Sequence, residues 1–294
     1  MSSPGEMLID YDGRSMSLPA DIVLLVLVAA LLHAAWNAIV KSSTDKLLDA
    51  ATLSIAAALI CLVILPFLPI PEAASWPWLA ASAVLHVCYF LTLAGTYHRG
   101  DLSHVYPLMR GTAPLLVAMF GVVLLDDRLS AGLWAGVVLI SFGILVPVLW
   151  QPAAVSGRGT LIALGNAVII ACYTLIDGIG TRVSGNAVTY CLWIFVLDVI
   201  PIVVVALALR QRKVWEYAMR RWKPCTAGAL CLLLSYGIVL WAMTRAPIAA
   251  VAALRETSVI FAAVIGSVLL KEQMGRLRIA GAVVVACGIA ALRL

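Results

Sequence analysis

Two arginines lie inside segments that are otherwise apolar enough to cross a bilayer. Arg110 stands about a third of the way into DLSHVYPLMRGTAPLLVAMFGVVLLDDRLS (101–130), and Arg255 stands equally far inside a later segment. An arginine deep in a membrane helix costs at least about 2.5–3.5 kcal/mol on insertion scales, so it is a candidate for function. We hypothesise that one or both guanidiniums bind an anionic group of a cargo molecule, a carboxylate or phosphate, through their planar donor fork. The alternative is structural: each arginine joins helices by pairing with an acid or with backbone carbonyls.

Arg110 has an aromatic neighbour and two prolines close by. Tyr106, Arg110 and Pro114 are spaced by four residues, so they share one face of a helix. Pro107 and Pro114 bracket the arginine, and a proline inside a helix frees a carbonyl and can kink the axis. Both effects would fall beside the guanidinium.

The first apolar segment carries a polar stripe. His33, Asn37 and Lys41 are spaced by four residues, with Trp36 one step round the helix. Such a stripe on an apolar membrane helix is expected to face the protein interior rather than lipid. The sixth segment, its counterpart in the chain, also has polar residues on one face, namely Asn166, Tyr173 and Asp177.

Several ionisable residues inside apolar segments are candidates for proton coupling: His33, Asp177, Asp198 and Glu256. A histidine titrates near neutrality and could shuttle protons, although a lone helical histidine is more often a hydrogen-bonded packing residue. The carboxylates could instead be partners of the arginines. Glu256 directly follows Arg255, which favours a structural use for that arginine. Because adjacent helical residues point about 100° apart, we expect Glu256 to pair with another helix.

Aromatic and histidine side chains elsewhere could line a cavity, although such residues more often pack or anchor the protein at the membrane interface. The pairs in question are His86 with Tyr89 and Tyr236 with Trp241.

The chain contains an internal repeat. A shift of 145 residues places Arg110 on Arg255, and it also pairs Gly121 with Gly266, Asp127 with Glu272, Gly136 with Gly281, and Gly143 with Gly288. Glycines seven residues apart share a helix face and allow close packing of helices, either within the chain or in a homodimer. We favour packing within the chain.

The composition is that of a membrane protein. Of 294 residues, 63% are hydrophobic and 12% are charged, whereas soluble domains carry about 25% charged residues. Ten apolar segments of roughly 17–25 residues are each long enough to span about 30 Å as a helix. The predicted spans are 21–40, 48–69, 78–97, 103–125, 131–150, 160–180, 187–209, 224–243, 247–270 and 276–293.

We therefore predict an all-α polytopic membrane protein of ten transmembrane helices arranged as two inverted five-helix repeats. The domains are a polar N-terminal tail (1–20), a first repeat (21–150) and a second repeat (151–294). The repeats must be inverted because an odd number of crossings starts the second copy on the opposite side. Inverted repeats build a central site near mid-membrane and expose it alternately to the two sides.

The distribution of basic residues predicts an orientation. The predicted odd-numbered loops hold thirteen lysines and arginines, six of them in one loop spanning residues 210–223, while the other side and the termini hold five. The positive-inside rule then places both termini away from the cytoplasm. The basic loop suits an anionic leaflet surface rather than nucleic acid.

No enzyme, cofactor or metal motif competes with a transport function. The sequence has no GxSxG, no HExxH, no phosphate-binding GxxxxGK[ST], and no Cys/His cluster with metal-ligand spacing. We therefore expect no catalytic residue and no bound cofactor. The seven cysteines include no CxxC pair, and most lie in apolar runs, as buried small residues do. Transport would be secondary or driven by a partner, because the chain has no ATP-binding loop.

Three stretches resemble the EamA-like members of the drug/metabolite transporter superfamily: LLHAAWNAIVK (31–41), GDLSHVYPLMRGTAPLLVAMFGVVLLDDRLS (100–130) and RETSVIFAAVIGSVLLKEQM (255–274). The resemblance covers essentially everything after residue 20. Its most specific parts are the proline/arginine fourth helix and the acids that end the fourth and ninth helices, here Asp127 and Glu272.

The resemblance implies a ten-helix inverted-repeat exporter or importer of small metabolites with a central cavity. By position it implies that the substrate-binding residues are Trp36, Asn37, Tyr106, Arg110, Tyr173 and Arg255. Many relatives place both termini in the cytoplasm, whereas the charge count predicts the reverse here. The leading expectation is an inner-membrane secondary transporter of a small anionic or zwitterionic metabolite. The alternative is a non-transporting membrane scaffold with structural arginines.

Overall fold

The computed structural model describes residues 18–97, 102–125, 127–150, 157–269 and 275–294. Within those ranges every regular element is a helix. The helices are α1 (Ala20–Lys41), α2 (Lys46–Ile64), α3 (Trp76–Tyr97), α4 (Leu102–Leu125), α5 (Ala131–Leu149), α6 (Gly157–Val183), α7 (Ala187–Arg210), α8 (Lys213–Met243), α9 (Ile248–Glu256), α10 (Ser258–Leu269) and α11 (Arg276–Ala291). Two 3₁₀ turns, Leu65–Phe67 and Ala73–Ser75, lie between α2 and α3.

Across the described ranges, 8 spans are long and apolar enough to cross a membrane. They match the first, second and fourth to ninth predicted segments, so the all-helical, multi-pass architecture is confirmed. The third and tenth segments form α3 and α11, which are not among the eight. The α11 helix has 16 residues, or about 24 Å at about 1.5 Å per residue. The count of ten crossings therefore stays a prediction.

The prediction of a basic loop at residues 210–223 is wrong for most of that range, because α8 begins at Lys213. The buried Asp49 of α2 explains the additional helical turns. Its Oδ1 accepts a hydrogen bond from the Tyr217 hydroxyl at 3.0 Å and another from Arg221 Nε at 3.2 Å. These two donors are four residues apart, so a helix presents both of them to α2. Pro224 lies inside the helix rather than at its start.

The ninth predicted span is interrupted at one residue. Thr257 separates α9 from α10. Its amide donates to the carbonyl of Leu254, three residues back, at 3.1 Å, and its hydroxyl donates to the same carbonyl at 2.6 Å. These bonds tighten the turn toward 3₁₀ geometry. The interruption directly follows Arg255 and Glu256.

The α9 helix is the most enclosed element near the predicted site, because all its residues are buried. Its apolar residues share one hydrophobic cluster with Val26 of α1, Ile140 of α5 and Val285 of α11. Helices from both halves of the chain therefore surround it. Arg255 and Glu256 stand at its C-terminal end.

The α5 and α11 helices cross in opposite directions through the repeated glycines. A Cβ atom on Gly143 would lie 2.7 Å from the carbonyl oxygen of Gly281, and one on Gly136 would lie 3.0 Å from that of Gly288. Side chains at these positions would hold the two backbones apart. The predicted use of these glycines for packing within the chain is confirmed.

Candidate functional site

The two buried arginines share one carboxylate. Arg110 Nε lies 2.6 Å from Glu256 Oε2, and Arg255 Nη2 lies 3.3 Å from Glu256 Oε1. The exposed fractions of the Arg110, Arg255 and Glu256 side chains are 4%, 4% and 1%. Glu256 thus joins α4 to α9, as expected, and it also pairs with its neighbour Arg255, which the sequence reasoning did not expect. We call Arg110, Arg255 and Glu256 the arginine cluster.

The arginine cluster carries an unbalanced positive charge. Two guanidiniums share one carboxylate, and a guanidinium is always protonated in proteins. A buried ion pair offsets its desolvation cost only when the geometry is good and the remaining donors have partners. Among the described residues, the side chains of the cluster carry two positive charges and one negative charge, which leaves one net positive charge.

Further groups contact the free edge of the Arg110 guanidinium. Its Nη2 lies 3.3 Å from His33 Nε2 and donates to Ser258 Oγ at 3.5 Å. Because a guanidinium has only donors, His33 Nε2 is the acceptor and that nitrogen carries no proton. The guanidinium also lies over the Tyr106 ring, 5.9 Å from its centroid, at a distance where a cation is attracted to the ring face.

A second group of polar side chains, the carboxylate cluster, consists of His86 (α3), Asp177 (α6), Asp198 (α7) and Tyr236 (α8). His86 Nδ1 lies 3.6 Å from Asp198 Oδ2. The Tyr236 hydroxyl donates to Asp177 Oδ2, and Asp177 is fully buried. Asp177 and Asp198 both interact electrostatically with His86.

Tyr173 interacts with both clusters. Its ring stacks on His86 with centroids 4.5 Å apart and meets the Tyr89 ring edge-on. The phenol also interacts electrostatically with Arg255, Arg110 and Asp177. The positively charged cluster and the negatively charged cluster thus share one buried tyrosine as a neighbour.

Two predicted binding residues on α1 make contacts within their own helix. The Asn37 amide donates to the carbonyl of His33 on its own helix, at 2.8 Å. Trp36 contacts the His33 ring edge-on, with centroids 5.2 Å apart, and packs against the apolar cluster that α2 and α8 form. Lys41 is exposed at the end of α1. Of the predicted stripe, His33 alone is in contact with the arginine cluster.

Other residues of the site were missed or undervalued in the sequence. Ser258 gave no signal, because a serine beside an apolar run is common. His86 and Tyr236 were predicted only to line a cavity. A histidine and a tyrosine in apolar segments can also pair with carboxylates in other apolar segments, and that signal could have suggested the cluster. Glu272, which the resemblance singled out, lies outside the described residues. Its counterpart Asp127 folds back onto α4, where its amide donates to the Gly121 carbonyl at 3.2 Å.

The EamA-like transporter family matches residues 21–149 and again residues 157–294. The chain belongs to the EamA-like transporter family. The two matches correspond to the two halves that the internal repeat defines, and they make this EamA-like protein a multi-pass membrane protein of the drug/metabolite transporter type.

Solved structures share the EamA-like chain's fold. One crystal structure matches with a TM-score of 0.69 and 15% sequence identity, covering 93% of this chain and 96% of its own. In total 28 solved chains match. No curated protein matches in sequence. At this identity the likeness establishes the fold of the EamA-like chain and not its cargo.

Proposed function

We propose that this EamA-like protein is a secondary transporter of the inner membrane that moves a small anionic or zwitterionic metabolite through a site between its two repeats. The observation that carries the proposal is the arginine cluster, in which two buried guanidiniums share one carboxylate. Two arginines on one glutamate also occur in buried clusters that are purely structural. What favours an anion-binding site here is the positive charge that remains on the guanidiniums after one of them is paired.

Glu256 then acts as an internal substitute for the cargo. A carboxylate or phosphate of the cargo would bind the donor fork of Arg110, and Glu256 would keep Arg255 as its partner. Bidentate binding of carboxylates and phosphates is the geometry for which arginine is suited. Since the exchange replaces one buried ion pair with another, it need not leave a charge uncompensated.

The carboxylate cluster favours a zwitterionic cargo over a simple anion. Its two aspartates offer negative charge, and Tyr173 neighbours both this cluster and the arginines. A cargo with one anionic and one cationic group could engage both clusters at once. The uncharged part of such a molecule would lie along the Tyr173 ring.

Alternating access is supported by how the two halves meet. Gly136 corresponds to Gly281 in the repeat but contacts Gly288, and Gly143 corresponds to Gly288 but contacts Gly281. This reciprocal pattern is the one that a two-fold axis produces, and antiparallel partners are what inverted repeats require. The buried arginine cluster must open for cargo to enter, and the interruption at Thr257 lies beside it.

If transport is coupled to protons, we propose that His86 with Asp198 and Asp177 is the coupling site rather than His33. His86 Nδ1 lies 3.6 Å from Asp198 Oδ2, so a carboxylate stands beside this imidazole. A proton on His33 Nε2 would instead face Arg110. A transport rate in His86→Gln that keeps the wild-type pH dependence would exclude this assignment.

The scaffold alternative rests on the same ion pairs, which join α4 to α9 whether or not cargo binds. The two readings differ in what Arg110→Lys does. A structural ion pair tolerates a lysine, whereas a planar bidentate site does not.

The orientation, with both termini away from the cytoplasm, follows from the thirteen-to-five distribution of basic residues. Reporter fusions at each terminus, one active only in the cytoplasm and one only outside it, test the orientation.

The function is tested by thermal unfolding of the purified protein against a panel of amino acids, dicarboxylates, sugar phosphates and amines. A ligand at 100 times its dissociation constant should add about 2.7 kcal/mol to stability. We expect a carboxylate- or phosphate-bearing compound to stabilise the wild type and Arg245→Lys, but neither Arg110→Lys nor Arg110→Ala. The compound is then tested for uptake into proteoliposomes. If no compound binds while the Arg110 variants remain folded, the scaffold reading is preferred.

A further inference from the structure

An apolar groove runs along the outer surface of the helices and is lined by none of the residues of either cluster. Its volume is about 380 Å³, and side chains of α2, α7 and α8 line it, including Ile55, Leu59, Ile200, Val203, Val204 and Trp215. Leu59, Ile200 and Val204 are 58%, 59% and 60% exposed. The groove thus opens toward the space that lipid chains occupy in a membrane.

Basic residues stand at one end of this groove. The α7 helix ends at Arg210, and a sharp turn at Gln211, with φ +50°, brings the chain into α8. Arg212 and Lys213 follow that turn and are exposed, and Trp215 of the groove comes two residues later. Tryptophan at such a position is typical of the membrane–water interface.

The basic residues of this region are divided between two uses. Arg210 pairs with Asp45 at 2.9 Å, and Arg221 pairs with Asp49 at 3.2 Å, so these two hold the ends of α7 and α8 against α2. The other four basic residues are exposed, namely Arg212, Lys213, Arg220 and Lys223. The stretch that holds them, residues 212–223, contains one acid, Glu216. Neither Arg212 nor Lys213 has an ion-pair partner in the part of the chain that the structure describes.

We propose that this region binds an anionic phospholipid, with an acyl chain in the groove and its phosphate on Arg212 and Lys213. The apolar lining fits the acyl chain, and the unpaired cations at the interface end fit a negatively charged headgroup. A zwitterionic phospholipid would fill the groove equally well but would leave the excess positive charge without a partner. The site is independent of the proposed transport function, because it shares no residue with the arginine or carboxylate cluster.

The test is binding of phosphatidylglycerol and phosphatidylcholine with identical acyl chains to the delipidated full-length protein, measured by native mass spectrometry and by thermal unfolding in detergent. We expect the wild type to prefer phosphatidylglycerol. The double variant Arg212→Gln/Lys213→Gln should bind it about 30-fold more weakly, from the usual contribution of two basic residues near an anionic surface. Arg276→Gln, which removes an exposed charge from α11, should keep the wild-type preference.

Two further arms separate a lipid site from a simple phosphate site. Val204→Phe fills the groove and leaves every charge in place, so it should weaken phosphatidylglycerol binding. Glycerol 3-phosphate has the charge but no chain, so it should not stabilise Arg110→Ala, in which the proposed cargo site is disabled. Equal binding of the two lipids, an unchanged preference in the double variant or in Val204→Phe, or stabilisation of Arg110→Ala by glycerol 3-phosphate would each overturn the proposal.

Discussion

The two arginine-bearing helices are counterparts in the repeat, yet they differ where the arginine stands. The α4 helix runs without interruption through Pro107 and Pro114, whereas its counterpart contains no proline and is divided at Thr257. Arg110 is followed by a glycine and Arg255 by Glu256. The repeat has therefore kept the cation in both copies and placed the anion in only one.

Packing disfavours an acid at the same position of the first copy. A Cβ atom on Gly111 would lie 2.7 Å from Leu145 Cγ and 3.2 Å from the Ser141 carbonyl oxygen. The α4 and α5 helices thus crowd any side chain at the position that corresponds to Glu256, and a long one more than a methyl group. One acid must serve two arginines, and this asymmetry is what leaves a positive charge in the centre of the bundle.

The largest effect is expected from Glu256→Gln, which removes the one acid of the arginine cluster. Two buried guanidiniums would then face each other without compensation, and breaking a buried ion pair in this way costs about 3–5 kcal/mol. Thermal unfolding in detergent measures the loss. The matched control is Glu216→Gln, the same change at an exposed site on α8. Equal stabilities of the two variants would contradict the shared-acid account.

Next in size are Gly143→Ala and Gly281→Ala, which test whether the two copies meet symmetrically. Each new methyl group would press on the carbonyl of the other glycine, and backbone cannot move aside as a side chain can. We expect a loss of about 1–3 kcal/mol from each, with the two values similar. Gly165→Ala is the control, because a Cβ there meets nothing within 4 Å. Tolerance of one substitution but not the other would show that the crossing is not reciprocal.

A smaller effect is expected from Gly111→Ala, because its nearest obstacle is the flexible Leu145 side chain. We expect a loss near the low end of the overpacking range, about 1 kcal/mol. In a Leu145→Ala background, Gly111→Ala should cost less stability than it does in the wild type, because the Leu145 atoms that would meet the new methyl group are absent. Coupling between the two positions in a double-mutant cycle is the measurement, and strict additivity would argue against crowding as the reason for the glycine.

The smallest effect concerns the start of α2. The Asp45 side chain caps α2 by accepting hydrogen bonds from the amides of Leu47 and Leu48. The Asn186 side chain caps α7 in the same way, through the amides of Val188 and Thr189. Asp45 also pairs with Arg210. Asp45→Asn should keep the cap and lose only the ion pair, costing less than about 1 kcal/mol because both side chains are partly exposed. Asp45→Ala should lose about 1 kcal/mol more.

The ion pair of Asp45 should also depend on pH. Partial burial raises the pKa of Asp45, but hydrogen bonds from Arg210 and from the Leu48 amide outweigh it and hold the pKa below its ordinary value. A lowered carboxyl pKa contributes stability above the ordinary pKa, and that contribution is lost as the pH falls through the folded-state value. The wild type and Asp45→Asn should therefore differ at neutral pH and converge in acid. A difference that persists in acid would assign it to something other than the charge.

The sequence allowed the membrane architecture and the arginines to be predicted, because both depend on hydropathy and on the cost of burying charge. The α8 start and the break at Thr257 could not be predicted. Asp49 stabilises the extra turns of α8 from a different helix, and the break follows from hydrogen bonds around Thr257 that no composition pattern reports. The binding role of Asn37 stays a prediction: one hydrogen of its amide is bonded to a carbonyl of its own helix, a contact that its spacing did not suggest.

The central claim is that Glu256 occupies the place of a cargo anion on Arg110. The most direct test compares ligand-induced stabilisation of the wild type and Glu256→Gln, using the same panel of amino acids, dicarboxylates, sugar phosphates and amines. If the account is right, an anionic or zwitterionic compound stabilises Glu256→Gln more than the wild type, because it no longer competes with the internal carboxylate, and amines stabilise neither. A compound that binds the wild type and binds Glu256→Gln more weakly would show that Glu256 helps to hold the cargo rather than standing in for it.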